Sequence, residues 1–428
     1  MAMSIVDIIM VGRLPDSAVA IGGTSLGSAL FYPLAIFGLA LMAGMDTLVS
    51  HAFGAGDFVE ARRSLVSGLL LAAMISPLLV MGTLGFIPLL PIIGINAEVR
   101  LQAVGFIRVL VWSLPLLLFY TVFRRYLQGL HHVRPVTFAL ISSNAVNAFG
   151  NWIFIYGHWG SPAMGIRGSA LSTCLARVYL ASVLFYAVLR RDPQALTGAR
   201  GDVEHMRRLV RLGLPAAVTT LLEVGVFNAA TALAGTLDPV SLAAHTIALN
   251  LASLTFMVPL GIASAAAVCV GRALGARDPA AAVRAGWIAI GIAAAYEIGA
   301  AATFVLLPRP LARIYTADPA IVSFAAILLA IASVFQVFDG IQTVATGALR
   351  GIADTHSAML MNLAGYWIIG LPLGCWLCYR MRWGVVGLWD GLCLALILIA
   401  VGLLVVWRRR GAAIGRALYP SQLAGSAR

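Results

Sequence analysis

Lysine is absent from this chain: all 29 basic residues are arginine, set against 17 acidic ones, for a net charge of +12. Charge of either sign is scarce, at 11% of 428 residues, where soluble domains carry roughly 25%. That scarcity excludes a globule wrapped in water. The complementary excess, 61% hydrophobic residues and a mean hydropathy of +0.94, calls for a surface that faces lipid. Cysteine is limited to five residues, all in apolar segments without a nearby histidine, so Cys375-x-x-Cys378 reads as packed or lipid-facing thiols rather than a metal or redox centre. No His-Glu-x-x-His, Walker-type phosphate loop or Gly-x-Gly-x-x-Gly is present, which excludes a built-in ATP motor and a dinucleotide enzyme. No basic face or reading module accompanies the positive charge, so nucleic acid is excluded as a partner and anionic lipid head groups remain.

What the chain does have is a repeat. Gly54-Ala55-Gly56-Asp57 returns as Gly275-Ala276-Arg277-Asp278, and Leu127-Gln128-Gly129-Leu130 as Leu349-Arg350-Gly351-Ile352, at offsets of 221 and 222 residues. Each copy closes a long apolar run, so the repeat is one of architecture. The second half divides into apolar segments near 209–235, 240–270, 285–307, 320–346, 357–379 and 384–407, each at or above the ~20 residues a spanning helix needs. The first half gives 18–53, 64–93, 101–123, 135–156 and 165–189, preceded by a fragment at 3–14. The expected fold is therefore an all-α integral membrane protein of twelve helices, the first truncated, in two parallel six-helix repeats. Six crossings per repeat make both halves enter from the same side, related by an axis along the membrane normal.

With the Gly-Ala-Gly-Asp breaks on one side, twenty arginines gather there and eight on the other, and the arginine-rich side is the cytoplasmic one. The domains are an N-lobe at 1–189, a polar cytoplasmic linker at 190–208, a C-lobe at 209–407 and a basic cytoplasmic tail at 408–428, in a bacterial inner membrane. The leading fragment reaches only about 18 Å at 1.5 Å per residue against a hydrocarbon core of roughly 30 Å. At an offset of 224 residues Asp7 stands opposite Thr231, well inside its own helix. Met1 is accordingly expected to be an internal or misassigned start.

Acidic side chains within the hydrocarbon are the sharpest chemical signal, because an uncompensated Asp there costs about 2.5–3.5 kcal/mol. Six qualify: Asp7, Asp46, Glu223, Glu297, Asp339 and Asp390. Asp46 lies near a cytoplasmic helix end, where water or a helix cap would satisfy it. Asp390, beside Trp389, reads as interhelical glue. Glu297 follows Tyr296 in mid-segment with no charged partner in sequence. Gly23-Thr24-Ser25-Leu26-Gly27 fits the Gly-x-Ser-x-Gly nucleophile pattern, with His51 or His245 as a base, but small residues at this spacing are the ordinary surface of close helix packing. His131-His132 falls in a loop and does not place two ligands on one helix face.

Together with Val6-Asp7 leading to Val11-Gly12, the runs Asp46 to Asp57, Asn147 to Gly157, Leu212-Gly213-Leu214-Pro215 ahead of Glu223-Val224, Phe338-Asp339 ahead of Ala348 to Gly351, and Gly365 to Pro372 resemble the multidrug and toxic compound extrusion (MATE) family of cation-coupled exporters over essentially the whole chain. The resemblance implies an outward-opening V of two six-helix lobes that exchanges organic cations or drugs for protons or sodium. It implies Glu223 and Asp339 as the C-lobe cation site, and Asp7 with Asn147 as N-lobe residues of proton coupling. Phe335 stands where some sodium-coupled members have Tyr, and Asn151 where some proton-coupled members have a second Asp. Loss of an oxygen ligand weakens a Na⁺ site, which favours H⁺ over Na⁺ at Glu223 and Asp339. Phe227, Tyr366, Trp367 and Phe335 are candidates to line a substrate cavity, and no cofactor or structural metal is implied. The protein is expected to be a monomer in contact with membrane lipid. Other readings are a lipid-linked oligosaccharide flippase, which would line its cavity with Arg, a channel, and an intramembrane hydrolase resting on Ser25. Pro33, Gly38, Pro215 and Pro372 offer sites for helix bending.

Overall fold

The computed structural model describes residues 2–91, 96–197 and 200–418, and among these the only regular structure is helical. The first half comprises α1 (Ala2–Val11), α2 (Ser17–Leu41), α3 (Gly44–Gly54), α4 (Phe58–Gly85), α5 (Ala97–Leu110), α6 (Leu114–Gly129), α7 (Val133–Tyr156) and α8 (Ile166–Arg191). The second comprises α9 (Val203–Ala234), α10 (Pro239–Gly275), α11 (Pro279–Leu306), α12 (Pro308–Arg313), α13 (Pro319–Gly351), α14 (His356–Asn362), α15 (Leu371–Cys375) and α16 (Val385–Leu418). Among the described residues, 11 helical stretches are long and apolar enough to cross a membrane, and they coincide with the expected segments to within a few residues, apart from longer ends on the arginine-rich side. The polar linker is shorter than its composition suggested, since α9 already begins at Val203. The tail begins as a continuation of α16 to Leu418, and its remainder, with Arg428, lies outside the described residues, as do 92 and 93 of the third apolar segment.

The chain forms two compact units, one of residues 2–49 and 57–217, the other of 50–56 and 218–418. The repeat seen in sequence reappears in their backbone angles. Left-handed residues occur in pairs at the repeat spacing: Gly56 (φ 73°) with Arg277 (59°), His131 (60°) with Ala353 (64°), and Gly160 (79°) with Arg382 (60°). After α6 and α13 the chain closes with the same C-terminal motif, His132 N to Leu127 O at 2.7 Å and Asp354 N to Leu349 O at 2.9 Å. Asp57 and Asp278 then cap α4 and α11, accepting from Glu60 N at 2.9 Å and Ala281 N at 2.8 Å. Asn96 and Asp318 do the same for α5 and α13, each at 2.8 Å.

The leading glycines of the repeated motif are there for contact. A Cβ on Gly54 would stand 2.1 Å from Arg272 O, and one on Gly275 would stand 2.1 Å from His51 O. Small residues set the close packing elsewhere in the second unit, where Gly347 abuts Ala263 O on α10 and Gly351 abuts Val270. Ser25 is exposed, and its flanking Gly23 and Gly27 face Gln102 and Phe106 of α5 at 2.7 and 2.6 Å from a notional Cβ, so the Gly-x-Ser-x-Gly run is a packing face. The span holding Pro372 loosens on both sides of it into i→i+5 turns, Leu363–Gly370 and Trp376–Arg380.

Candidate functional site

In the first unit, α7 and α8 approach closely because Gly150 faces Ser172 and Gly168 faces Phe154 O, where added Cβ atoms would stand at 2.6 and 2.3 Å. Asn147 and Asn151, one turn apart on α7, are thereby set against Thr173 of α8, and α1 brings Asp7 to the same place. Asn151 Nδ2 donates to Asp7 Oδ1 at 2.6 Å and Thr173 Oγ1 to Asp7 Oδ2 at 3.2 Å, so both carboxylate oxygens are held by neutral donors. Asn147 Nδ2 donates to Thr173 Oγ1 at 3.4 Å, and Ser172 Oγ pins the Asn147 carbonyl at 2.7 Å. The three first-half residues named from sequence thus form one polar nest.

Sequence reasoning missed Arg177. Twenty-eight arginines were assigned to one membrane side or the other; the twenty-ninth is inside α8, only 6% exposed. It lies one turn beyond Thr173, within electrostatic reach of Asp7, donates to Ser113 Oγ, and covers the Phe31 ring at 4.9 Å. No carboxylate lies within ion-pair distance of it among the described residues. An arginine in the interior of the 165–189 segment was the available signal.

Asp46 requires a correction. It is fully buried rather than wetted, and Arg125 of α6 pairs with it across 79 residues of sequence, a structural bridge.

In the second unit, Asp339 on α13 is 5% exposed, and its Oδ1 has no hydrogen-bond partner. Glu223 of α9 and Glu297 of α11 both act on it electrostatically, and no cation pairs with any of the three among the described residues. Glu223 is half-buried and has no hydrogen bond among the described residues. Two further buried polar atoms here lack partners, Gln342 Oε1 and Tyr366 Oη, the latter within reach of both Glu223 and Asp339. No group of three or more acidic, Cys or His side chains with metal-holding geometry occurs among the described residues.

The four candidate cavity residues are found mostly in the core. Phe335 and Tyr366 are sealed at 2% and 0% exposure, and Phe227 packs edge-on to both at 5.8 and 6.0 Å. Trp367 is 36% exposed and donates its indole N–H to Leu222 O at 3.0 Å. Trp389 donates to His245 Nδ1 at 3.1 Å; an indole is donor only, so His245 carries its proton on Nε2 and gives it to Thr231 Oγ1 at 2.9 Å. Thr231 in turn donates to Phe227 O at 2.9 Å. A histidine locked neutral in this way is a packing element, and Asp390, next to Trp389 in sequence, is half-buried with no hydrogen bond among the described residues, not the glue expected.

The MatE family model matches residues 1–153 and 215–376. The chain is 38% identical over 422 residues to the probable multidrug resistance protein NorM of Mesorhizobium japonicum, covering 96% of this chain and 90% of that one. It is 34% identical over 416 residues to the multidrug resistance protein NorM of Burkholderia vietnamiensis, covering 95% and 89%. Among solved structures, an outward-facing multidrug resistance MATE transporter of the MOP superfamily superposes with a TM-score of 0.88 at 20% identity, covering 97% and 92%. The eukaryotic MATE transporter AtDTX14 does so with 0.84 at 20%, covering 97% and 94%.

Proposed function

The chain belongs to the MATE family of membrane transporters, and from that premise we propose that it exports organic cations of the multidrug class in exchange for protons by alternating access. Glu223 and Asp339 are the coupling pair of the second unit, and Asp7, with Asn147 and Asn151 in support, is the proton carrier of the first. The protein is an integral inner-membrane transporter and not an enzyme. The observation that carries the reading is Asp339: an acid in a membrane helix, almost wholly buried, with an unpartnered oxygen and no counter-ion among the described residues. Such a group is retained against its cost only where it has something to bind in turn.

The chemistry follows from one carboxyl serving two ligands. Ionised, it attracts an organic cation; protonated from the outer phase, it no longer does, and the drug leaves. Release of the proton to the cytoplasmic phase restores the charge. Phe335, one turn before Asp339, offers no oxygen to a sodium ion, and hard cations need several. That supports protons over sodium. The flippase reading finds no support in relatives named for multidrug resistance.

In everted vesicles, Glu223→Gln and Asp339→Asn are expected to reduce gradient-driven ethidium transport to the level of vesicles lacking the protein, with the amount of inserted protein unchanged. Wild-type rates in both variants would remove the pair from the mechanism.

A further inference from the structure

We propose that Glu297 and Gln336 together form a second proton-binding site of the second unit, separate in its oxygens from Glu223 and Asp339. The proposal rests on the proton-coupled reading given above. Glu297 is 0% exposed in α11, where, apart from Tyr296 before it, the neighbouring residues are Ala, Gly and Ile. It reaches α13 because residue 340 is glycine: a Cβ at Gly340 would stand 2.5 Å from Glu297 Cγ. This contact brings the carboxyl beside Gln336, one turn before Asp339.

The hydrogen bonding is half complete. Gln336 Nε2 donates to Glu297 Oε2 at 3.2 Å and is itself steadied from α10 by Thr255 Oγ1 and by Ala252 O at 3.4 Å. Two acceptors are left over: Glu297 Oε1 and Gln336 Oε1 are both buried without a partner among the described residues. An ionised carboxylate has only lone pairs to offer, so it leaves both atoms unsatisfied, and buried polar atoms are seldom left so. One proton on Glu297 supplies the donor that the two oxygens lack. The carboxylic acid then gives its O–H to the amide oxygen while receiving the amide N–H on its other oxygen, a closed acid–amide pair.

The charged surroundings fit a proton rather than a fixed ion pair. Glu297 acts electrostatically on Asp339 of α13, Tyr296 lies beside Glu297 on α11, and Glu223 acts on Asp339 from α9. No cationic side chain pairs with Glu297 among the described residues, so nothing but a proton neutralises it where it stands. Two carboxyls across Gly340 oppose each other's ionisation, so the charge state of Glu297 bears on the moment at which Asp339 releases its own proton.

The test is infrared titration of the purified full-length protein in lipid nanodiscs, together with a count of protons taken up in weak buffer. A protonated-carboxyl band is expected in the wild type that Glu297→Gln removes and Asp339→Asn keeps, with one proton fewer bound per chain in Glu297→Gln. Gln336→Leu, which keeps the acid but deletes the amide, should shift that band to the frequency of an unbonded carboxyl; it also serves if Glu297→Gln does not fold. A spectrum and proton count identical in wild type and Glu297→Gln, or a band unmoved in Gln336→Leu, overturns the site. Wild-type protein that holds this proton yet shows no transport driven by a pH gradient would instead overturn the proposed function and leave the site standing.

Discussion

Arg177 and Asp7 are the two residues of the first unit whose charges have least company. Each is held by neutral groups, Arg177 by Ser113 and the Phe31 ring, Asp7 by Asn151 and Thr173. They sit at either end of one helical turn marked by Thr173, close enough to sense one another without an ion pair. A guanidinium in so apolar a place is costly, and the remote Asp7 carboxylate adds to what Ser113, the Phe31 ring, Tyr32 and Cys174 supply. Asp7→Asn should therefore destabilise the protein more when Arg177 is present than in an Arg177→Gln background. A double-mutant cycle on thermal unfolding in nanodiscs is expected to return a coupling of about 0.5 kcal/mol or more. A value of zero would mean that Arg177 does not answer to Asp7. This pair also marks the limit of what the residue pattern disclosed. The acids were visible because acid in an apolar run is rare, whereas the arginine was passed over in a tally of loop charges, and the Asp46–Arg125 bridge spans a separation no local pattern encodes.

At the scale of elements, the turn shared by Gly56 and Arg277 gives a matched pair of tests. Both positions have positive φ, which costs a residue with a Cβ about 1–2 kcal/mol, and a Cβ at Gly56 would touch nothing within 4 Å. Gly56→Ala should thus lower stability by about 1 kcal/mol through backbone strain alone, and Arg277→Gly should raise it by a similar amount. A thermal-shift comparison showing the opposite signs would contradict the repeat geometry. Asp192, just after α8, ties three helices together: Arg62 of α4 binds it in bidentate fashion, at 2.8–3.1 Å, and Tyr126 of α6 donates to it at 2.8 Å. Partial burial pushes its carboxyl upward, but the bonds from Arg62 and Tyr126 outweigh that and hold it below the ordinary carboxylate value. A depressed folded-state value means stability that is present above the unfolded pKa of about 3.9 and is lost as pH falls through the lower folded value. Asp192→Asn should lose about 1–3 kcal/mol at neutral pH and flatten the acid limb of the stability curve. An unchanged acid limb would show the bridge to be idle.

For the whole molecule, the duplication and the spans were legible because each follows from local signals: runs of apolar residues long enough to cross lipid, ended by Gly and Asp at fixed offsets. Asp57 and Asp278 of the repeated motif are helix caps in the structure, and Gly54 and Gly275 are close contacts. The candidate site was legible only in part. Asp7 and Asn147 were named together and Asn151 apart from them, and they meet with the help of Thr173, which no motif singled out. Glu223 and Asp339 were named as a pair, yet Glu297 belongs to the same neighbourhood by virtue of a glycine on a different helix, which seats it beside Gln336. Which faces of two helices meet depends on packing across the unit, and periodicity within one helix does not carry it. Tyr366 and Phe335 looked like cavity aromatics for the same reason, and they are sealed in the core.

The central claim is that protons, exchanged at buried carboxyls, drive export. It is tested most directly by ethidium movement in proteoliposomes of the purified protein under an imposed pH gradient and, separately, an imposed sodium gradient of equal size. The account predicts transport with the pH gradient, abolished by a protonophore, and none with sodium alone. Transport driven by sodium and indifferent to the protonophore would contradict it.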